Sequence, residues 1–114
     1  MDTNYNIMSA KITTRKTGGV YQIVGKLEGS ASSGDLFIWH APEDSSITIM
    51  FPPSGDPLGI GCTTIEANGK LVRDISLAKL SDPPPRNTYR YAIFCHKTNN
   101  FAVMNSDPEI IISD

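Results

Sequence analysis

The sequence predicts an all-β protein, an antiparallel Greek-key β-sandwich of about seven to eight strands. Three observations lead there. Apolar residues recur with period two, and no long run keeps the 3.6-residue period of an amphipathic helix. Turn signals interrupt these runs at short intervals: Gly18-Gly19, Asn68-Gly69 and two proline-rich stretches. The chain has 114 residues, 39% hydrophobic and 19% charged, which suits a single folded domain over 1–114 with a core of its own.

The elements follow in order. "MSAKITTRKTGGVYQIVGKL" reads as two strands around Thr17-Gly18-Gly19, where glycine supplies the positive φ of a tight hairpin. Arg15 and Lys16 beside that turn are the kind of charge that protects a sheet edge. "GDLFIWH" follows a Ser/Gly-rich turn and is dense in strand formers. "SITIMF" places Ile47, Ile49 and Phe51 on one face, and Thr48 and Met50 on the other. "FPPSGDPLGIG" is a loop, because its prolines cannot donate to a ladder. "TTIEANGKLVRDI" carries Asn68-Gly69 and predicts a second hairpin. "SLAKLSD" suits one helical turn or a connector, and "DPPPR" an extended segment. "TYRYAIFC" sets Tyr89, Tyr91, Ile93 and Cys95 against Arg90, Ala92, Phe94 and His96. "PEIIIS" is the last strand, with Ile111 expected to face inward. The expected core is Phe37, Trp39, Ile47, Ile49, Phe51, Tyr91, Ile93 and Ile111.

"GDLFIWH…SSITIMFP" followed by "YRYAIFC…DPEIII" resembles the cupredoxin-like sandwich over roughly residues 20–114. The resemblance lies in strand order, spacing and the "DPEIII" ending. It implies a metal loop near the C-terminus, where "YAIFCHKTNNFAVM" supplies Cys95, His96 and Met104. Type 1 copper takes two imidazoles and a thiolate in a plane, with a weak axial thioether. Cys95 and Met104 have the spacing of that family. His96, adjacent to Cys95, does not, and the strand expected to hold the first imidazole has none. The expectation is a chain without copper or another cofactor. A rearranged copper site would have to use His40, Cys95, His96 and Met104.

Other chemistry is sparse. The net charge is −2 and the basic residues are scattered, so no phosphate-tracking stripe for nucleic acid exists. No apolar run approaches a membrane span, and no basic start precedes an apolar run, so a cytoplasmic compartment is expected. Cys62 and Cys95 are then expected as free thiols. No P-loop, dinucleotide fingerprint, zinc helix, calcium loop or nucleophile elbow is present. "NSDPE" (105–109) reads as a turn before it reads as a metal ligand set. His40 is expected half-exposed and hydrogen-bonded to a loop carboxylate, Glu43 or Asp44.

These observations point to a non-catalytic binding or assembly module. Its expected partner is a protein or a second copy in a homodimer. The candidate surface is Trp39, His40, Pro52, Pro53, Pro84 and Pro85. Prolines are stiff and cost little entropy to order at an interface. The alternatives are a copper electron-transfer protein and a small-molecule or sugar-binding sandwich using Trp39, Tyr89 and Tyr91.

Overall fold

Strands alone form the framework. The computed structural model describes residues 5–14, 19–79, 86–104 and 108–113. Among these residues eleven strands occur, more than the sequence pattern suggests, because several long runs are cut in two. They are β1 (Ile7–Thr14), β2 (Tyr21–Val24), β3 (Leu27–Ser30), β4 (Leu36–His40), β5 (Ile47–Met50), β6 (Cys62–Ile65), β7 (Lys70–Asp74), β8 (Arg86–Arg90), β9 (Ala92–Cys95), β10 (Asn100–Phe101) and β11 (Glu109–Ser113). Two single turns of 3-10 helix, Pro53–Gly55 and Ile75–Leu77, complete the set.

One sheet has the order β2-β1-β4-β7, a second β10-β9-β5-β6, and a third β3-β11-β8. β8 and β9 are separated by Tyr91 alone, so the second and third sheets continue each other along one stretch of chain. The architecture is compatible with a β-sandwich. It is not purely antiparallel: β1 runs parallel to β4, and β3 parallel to β11. Both parallel pairs arise because the chain changes layers before returning. The first change falls at Gly25, with φ 111°, where any Cβ would collide with the Ser9 carbonyl oxygen. Only glycine permits that approach.

Asn68-Gly69 forms its turn, with Asn68 at φ 63° and a Gly69 N–H to Glu66 C=O bond of 2.9 Å. The expected hairpin is absent, however. β6 pairs with β5 and β7 with β4, so this turn arches from one sheet to another. The Thr17-Gly18 part of the first turn lies outside the described residues, but β1 and β2 pair antiparallel as expected.

The core sits between the layers. Trp39 is its centre, packed edge-on to Phe37 (6.5 Å between ring centroids), Phe51 (6.2 Å) and Tyr91 (5.8 Å). Such T-shaped contacts align ring edges with ring faces and add to simple burial. All eight residues expected in the core are buried. Ile111 is nonetheless not the member of its strand that joins the main cluster; Ile110 and Ile112 are. β11 lies between β3 and β8, and Ile111 is flanked there by Glu28 and Thr88.

Three carboxylates organise loops. Asp35 is buried, and its oxygens accept the N–H groups of Asn6 (2.8 Å) and Ser30 (2.9 Å). Asp56 accepts from Ile60 and Gly61 and shapes the proline loop. Asp74 caps the turn at Ile75–Leu77 by accepting from Ser76, which lowers its pKa. Among the described residues no helix is long and apolar enough to cross a membrane.

Candidate functional site

The outer face of the β2-β1-β4-β7 sheet is built by strand alternation. Trp39 and Phe37 point inward, so Leu36, Ile38 and His40 point outward. Register places neighbours beside them. Ile7, Leu36 and Asp74 form one cross-strand row; Ser9, Ile38 and Val72 form the next. Lys11, His40 and Lys70 form the third. Ile7, Val24 and Val72 are 56%, 49% and 40% exposed on a face that ordinarily meets water, Val24 lying opposite Lys11.

The third row is electrostatically unusual. Lys11 and Lys70 flank His40 from the two neighbouring strands, and among the described residues neither lysine has an ion-pair partner. His40 is half-buried. Its pKa is lowered, first by burial and then by Lys11 and Lys70. Lys11 and His40, but not Lys70, line a groove of about 590 Å³ together with Thr13, Glu43, Asp44 and Asn68.

The loop Ala41–Ser46 forms one wall of this groove and is firmly held. Asp44 accepts from the Tyr21 hydroxyl at 2.8 Å and from Lys97 Nζ at 2.8 Å. Lys97 and Tyr21 hold the Asp44 carboxyl below its usual range. Burial, with Asp44 adding to it, pushes the Tyr21 phenol up to about 12. Buried Ser45 donates to the Ser46 C=O and accepts from Lys97 N–H, tying the loop to the turn after β9. Asp44 is therefore engaged away from His40, and the expected His40–carboxylate hydrogen bond does not form.

No protein-family model, curated protein or solved structure matches this chain.

The residues singled out by sequence do not form one surface. Trp39 is fully buried, so it offers no binding ring; its Nε1 has no hydrogen-bond partner among the described residues. The neighbouring Tyr91 phenol is raised by burial. His40 lies at one end of the fold. Pro52 and Pro53 are exposed at the other, because β5 runs back after the loop that follows His40. Pro84 and Pro85 lie outside the described residues. Tyr89 and Tyr91 are buried beside Trp39's layer, which removes the aromatic platform of the sugar-binding alternative.

The copper candidates are equally dispersed. Cys95 faces the core, and burial pushes its thiol up to about 11. His96 faces out and bonds Thr48 Oγ1 through Nε2 at 2.7 Å. Met104 packs against the core, and His40 stands on the outer face of the other layer. Among the described residues no group of three or more His, Cys, Asp or Glu side chains is placed to hold a metal. Cys62 and Cys95 are both free.

Sequence reasoning missed Lys11 and Lys70. Their juxtaposition with His40 depends on the parallel register of β1 with β4, which leaves no local mark in the chain.

Proposed function

We propose that this protein is a non-catalytic binding module on a copper-free, cupredoxin-like Greek-key sandwich. Its ligand site is the groove at the His40 end of the β2-β1-β4-β7 sheet. The Greek-key part is supported by the way the chain alternates between layers: β4 and β7 pair in one sheet while the intervening β5 and β6 pair in another. A cytoplasmic setting is supported by the two unpaired thiols.

The carrying observation is the groove itself, lined by Lys11, His40, Glu43 and Asn68 and walled by a loop pinned through Asp44. A pocket of this size suits a small molecule or a side chain. Amide chemical-shift mapping against a library of small polar compounds tests the proposal. Perturbations clustered on β1, β4, the loop Ala41–Ser46 and Asn68-Gly69 are expected. Hits confined to the opposite layer would overturn it.

Self-assembly is a second reading, favoured by the exposed Ile7, Val24 and Val72. The occupant is then a second copy. The same face carries Lys11, His40 and Lys70 at one end and Asp74 at the other, so a two-fold axis through it opposes unlike charges. The N-terminal hairpin edge is a poorer route, because the Val103 segment already bonds β2 at Ile23 and Tyr21. Sedimentation at micromolar concentration decides: a concentration-independent species near 12.4 kDa eliminates self-assembly.

A further inference from the structure

We infer that β6 is a pairing edge whose occupant is the β6 strand of a second copy of this chain, joined antiparallel across a two-fold axis at Thr63. This surface is separate from the groove and from the outer face of the β2-β1-β4-β7 sheet.

β6 ends the β10-β9-β5-β6 sheet. The Phe51 N–H bonds the Gly61 C=O at 2.8 Å, and the His96 N–H bonds the Ser46 C=O at 3.1 Å. Successive residues of an antiparallel strand turn their backbone groups to alternate sides. Both bonds therefore assign one pattern. Ile47, Ile49 and Phe51 turn toward β6, while Gly61, Thr63 and Ile65 turn toward β5. Cys62 and Thr64 direct their N–H and C=O groups away from the sheet, and among the described residues no backbone partner meets them.

The sandwich edges differ in how they are guarded. The Val103 segment bonds β2. β7 carries Lys70, Arg73 and Asp74, charges of the kind that keep foreign strands away. β6 is Cys-Thr-Thr-Ile, with neither charge nor proline, and its β-branched residues suit a ladder.

The edge is complementary to itself, which favours a second copy as its occupant. Opposed residues of a ladder share a face, so exposed Cys62 and Thr64 cannot oppose buried Ile65. With Thr63 opposite its own counterpart, Cys62 meets Thr64 of the other copy, and the free groups of both strands exchange N–H to C=O bonds. An axis at Cys62 would recruit Ile60, whose N–H already bonds Asp56. An axis at Thr64 would recruit Glu66, whose C=O already accepts from Gly69. So short an edge buries little area, and the pairing is weak and reversible.

The test combines sedimentation and amide spectra of the intact chain over a concentration series with disulfide trapping. Association with shifts centred on Cys62–Ile65 is expected. Thr64→Pro removes an outward N–H that the sheet does not use and should weaken association by about tenfold, as one bond from each copy is lost. Val72→Glu, on the other sheet, should leave it unchanged. Trapping gives a second measurement. In a Cys62→Ser background, Thr63→Cys should form a disulfide dimer under mild oxidation, whereas Thr64→Cys, offset from its counterpart, should not. Cys95 is buried and does not compete. An unchanged amide spectrum at low concentration verifies the fold of each variant. Equal trapping at both positions reports random collision and overturns the inference. Association lost in Val72→Glu but kept in Thr64→Pro overturns the edge and leaves the sheet face as the interface. A chain that stays monomeric at every concentration overturns self-pairing, whether or not a strand of another protein takes the edge.

Discussion

The two exposed faces of the molecule solve the same problem differently. On the β10-β9-β5-β6 sheet, outward groups satisfy one another. Thr48 Oγ1 lies 2.9 Å from Thr64 Oγ1 and 2.7 Å from His96 Nε2. Phe94 packs edge-on against both His96 and Phe101. On the β2-β1-β4-β7 sheet, the corresponding positions hold exposed aliphatic groups and the basic row Lys11, His40 and Lys70. Both faces contain a histidine, yet one imidazole is bonded within its own sheet and the other has its pKa lowered, first by burial and then by Lys11 and Lys70. The polar groups of one face bond to one another, whereas those of the other stand beside a groove.

Interior positions set the scale for comparing these faces. Ile49→Ala empties a fully buried site between the layers and should cost about 2–5 kcal/mol in chemical denaturation. Thr48→Ala, one residue away on the satisfied outer face, loses hydroxyl contacts to Thr64 and His96 and should cost about 1 kcal/mol. A reversed order would show that the faces of β5 are misassigned.

The cysteines divide in the same way. Cys62 is exposed at the start of β6, whereas Cys95 is buried with its thiol raised to about 11. A thiol reagent at pH 8 should titrate one group per native chain and a second only after denaturation. Rapid modification of both in the native protein would contradict the inward position of Cys95. Raised values also give a sign at high pH. The Cys95 contribution is fully present below its ordinary 9.0 and is lost as pH rises through about 11. The Tyr21 contribution likewise disappears between 10.0 and about 12.

Much of the framework was legible because it is local. Alternation in "SITIMF" and "YRYAIFC" assigned inward and outward residues correctly, since each strand has one wet face. The same logic fails at "EIIIS", where Ile110, Ile111 and Ile112 are all buried, so no alternation distinguishes them. Asn68-Gly69 encoded a turn but not its partners, because positive φ is a property of the residue while pairing belongs to the sheets. Trp39 illustrates the harder limit. An aromatic next to a histidine suggests a surface, yet strand geometry sends these two side chains to opposite sides of β4. The basic row depends entirely on non-local register.

On the unsatisfied face, removing a charge should help rather than harm. Lys11→Gln relieves repulsion between Lys11 and Lys70 on either side of β4 and should stabilise the protein by about 0.3 kcal/mol at low salt, less as salt screens it. Equal destabilisation at all salt concentrations would mean that Lys11 is held by packing and not by charge.

The smallest effect reads the row most directly. His40 has a folded-state pKa below 6.5, with burial the larger cause and Lys11 and Lys70 the lesser ones. The unfolded chain therefore holds a proton on this ring that the folded chain has already released. Stability then rises with pH through the interval just below 6.5, is fully present above it, and is lost as pH falls through the folded value. Asp44 and Asp74 act in the same direction but below their ordinary 3.8, so the two limbs are separable. In Lys11→Gln or Lys70→Gln the His40 resonance should titrate at a higher pH than in the parent while remaining below 6.5, because burial is unchanged. The stability limb below pH 6.5 should shrink in step, and His40→Gln should abolish it. If neutralising both lysines leaves the His40 titration where it was, burial alone sets it.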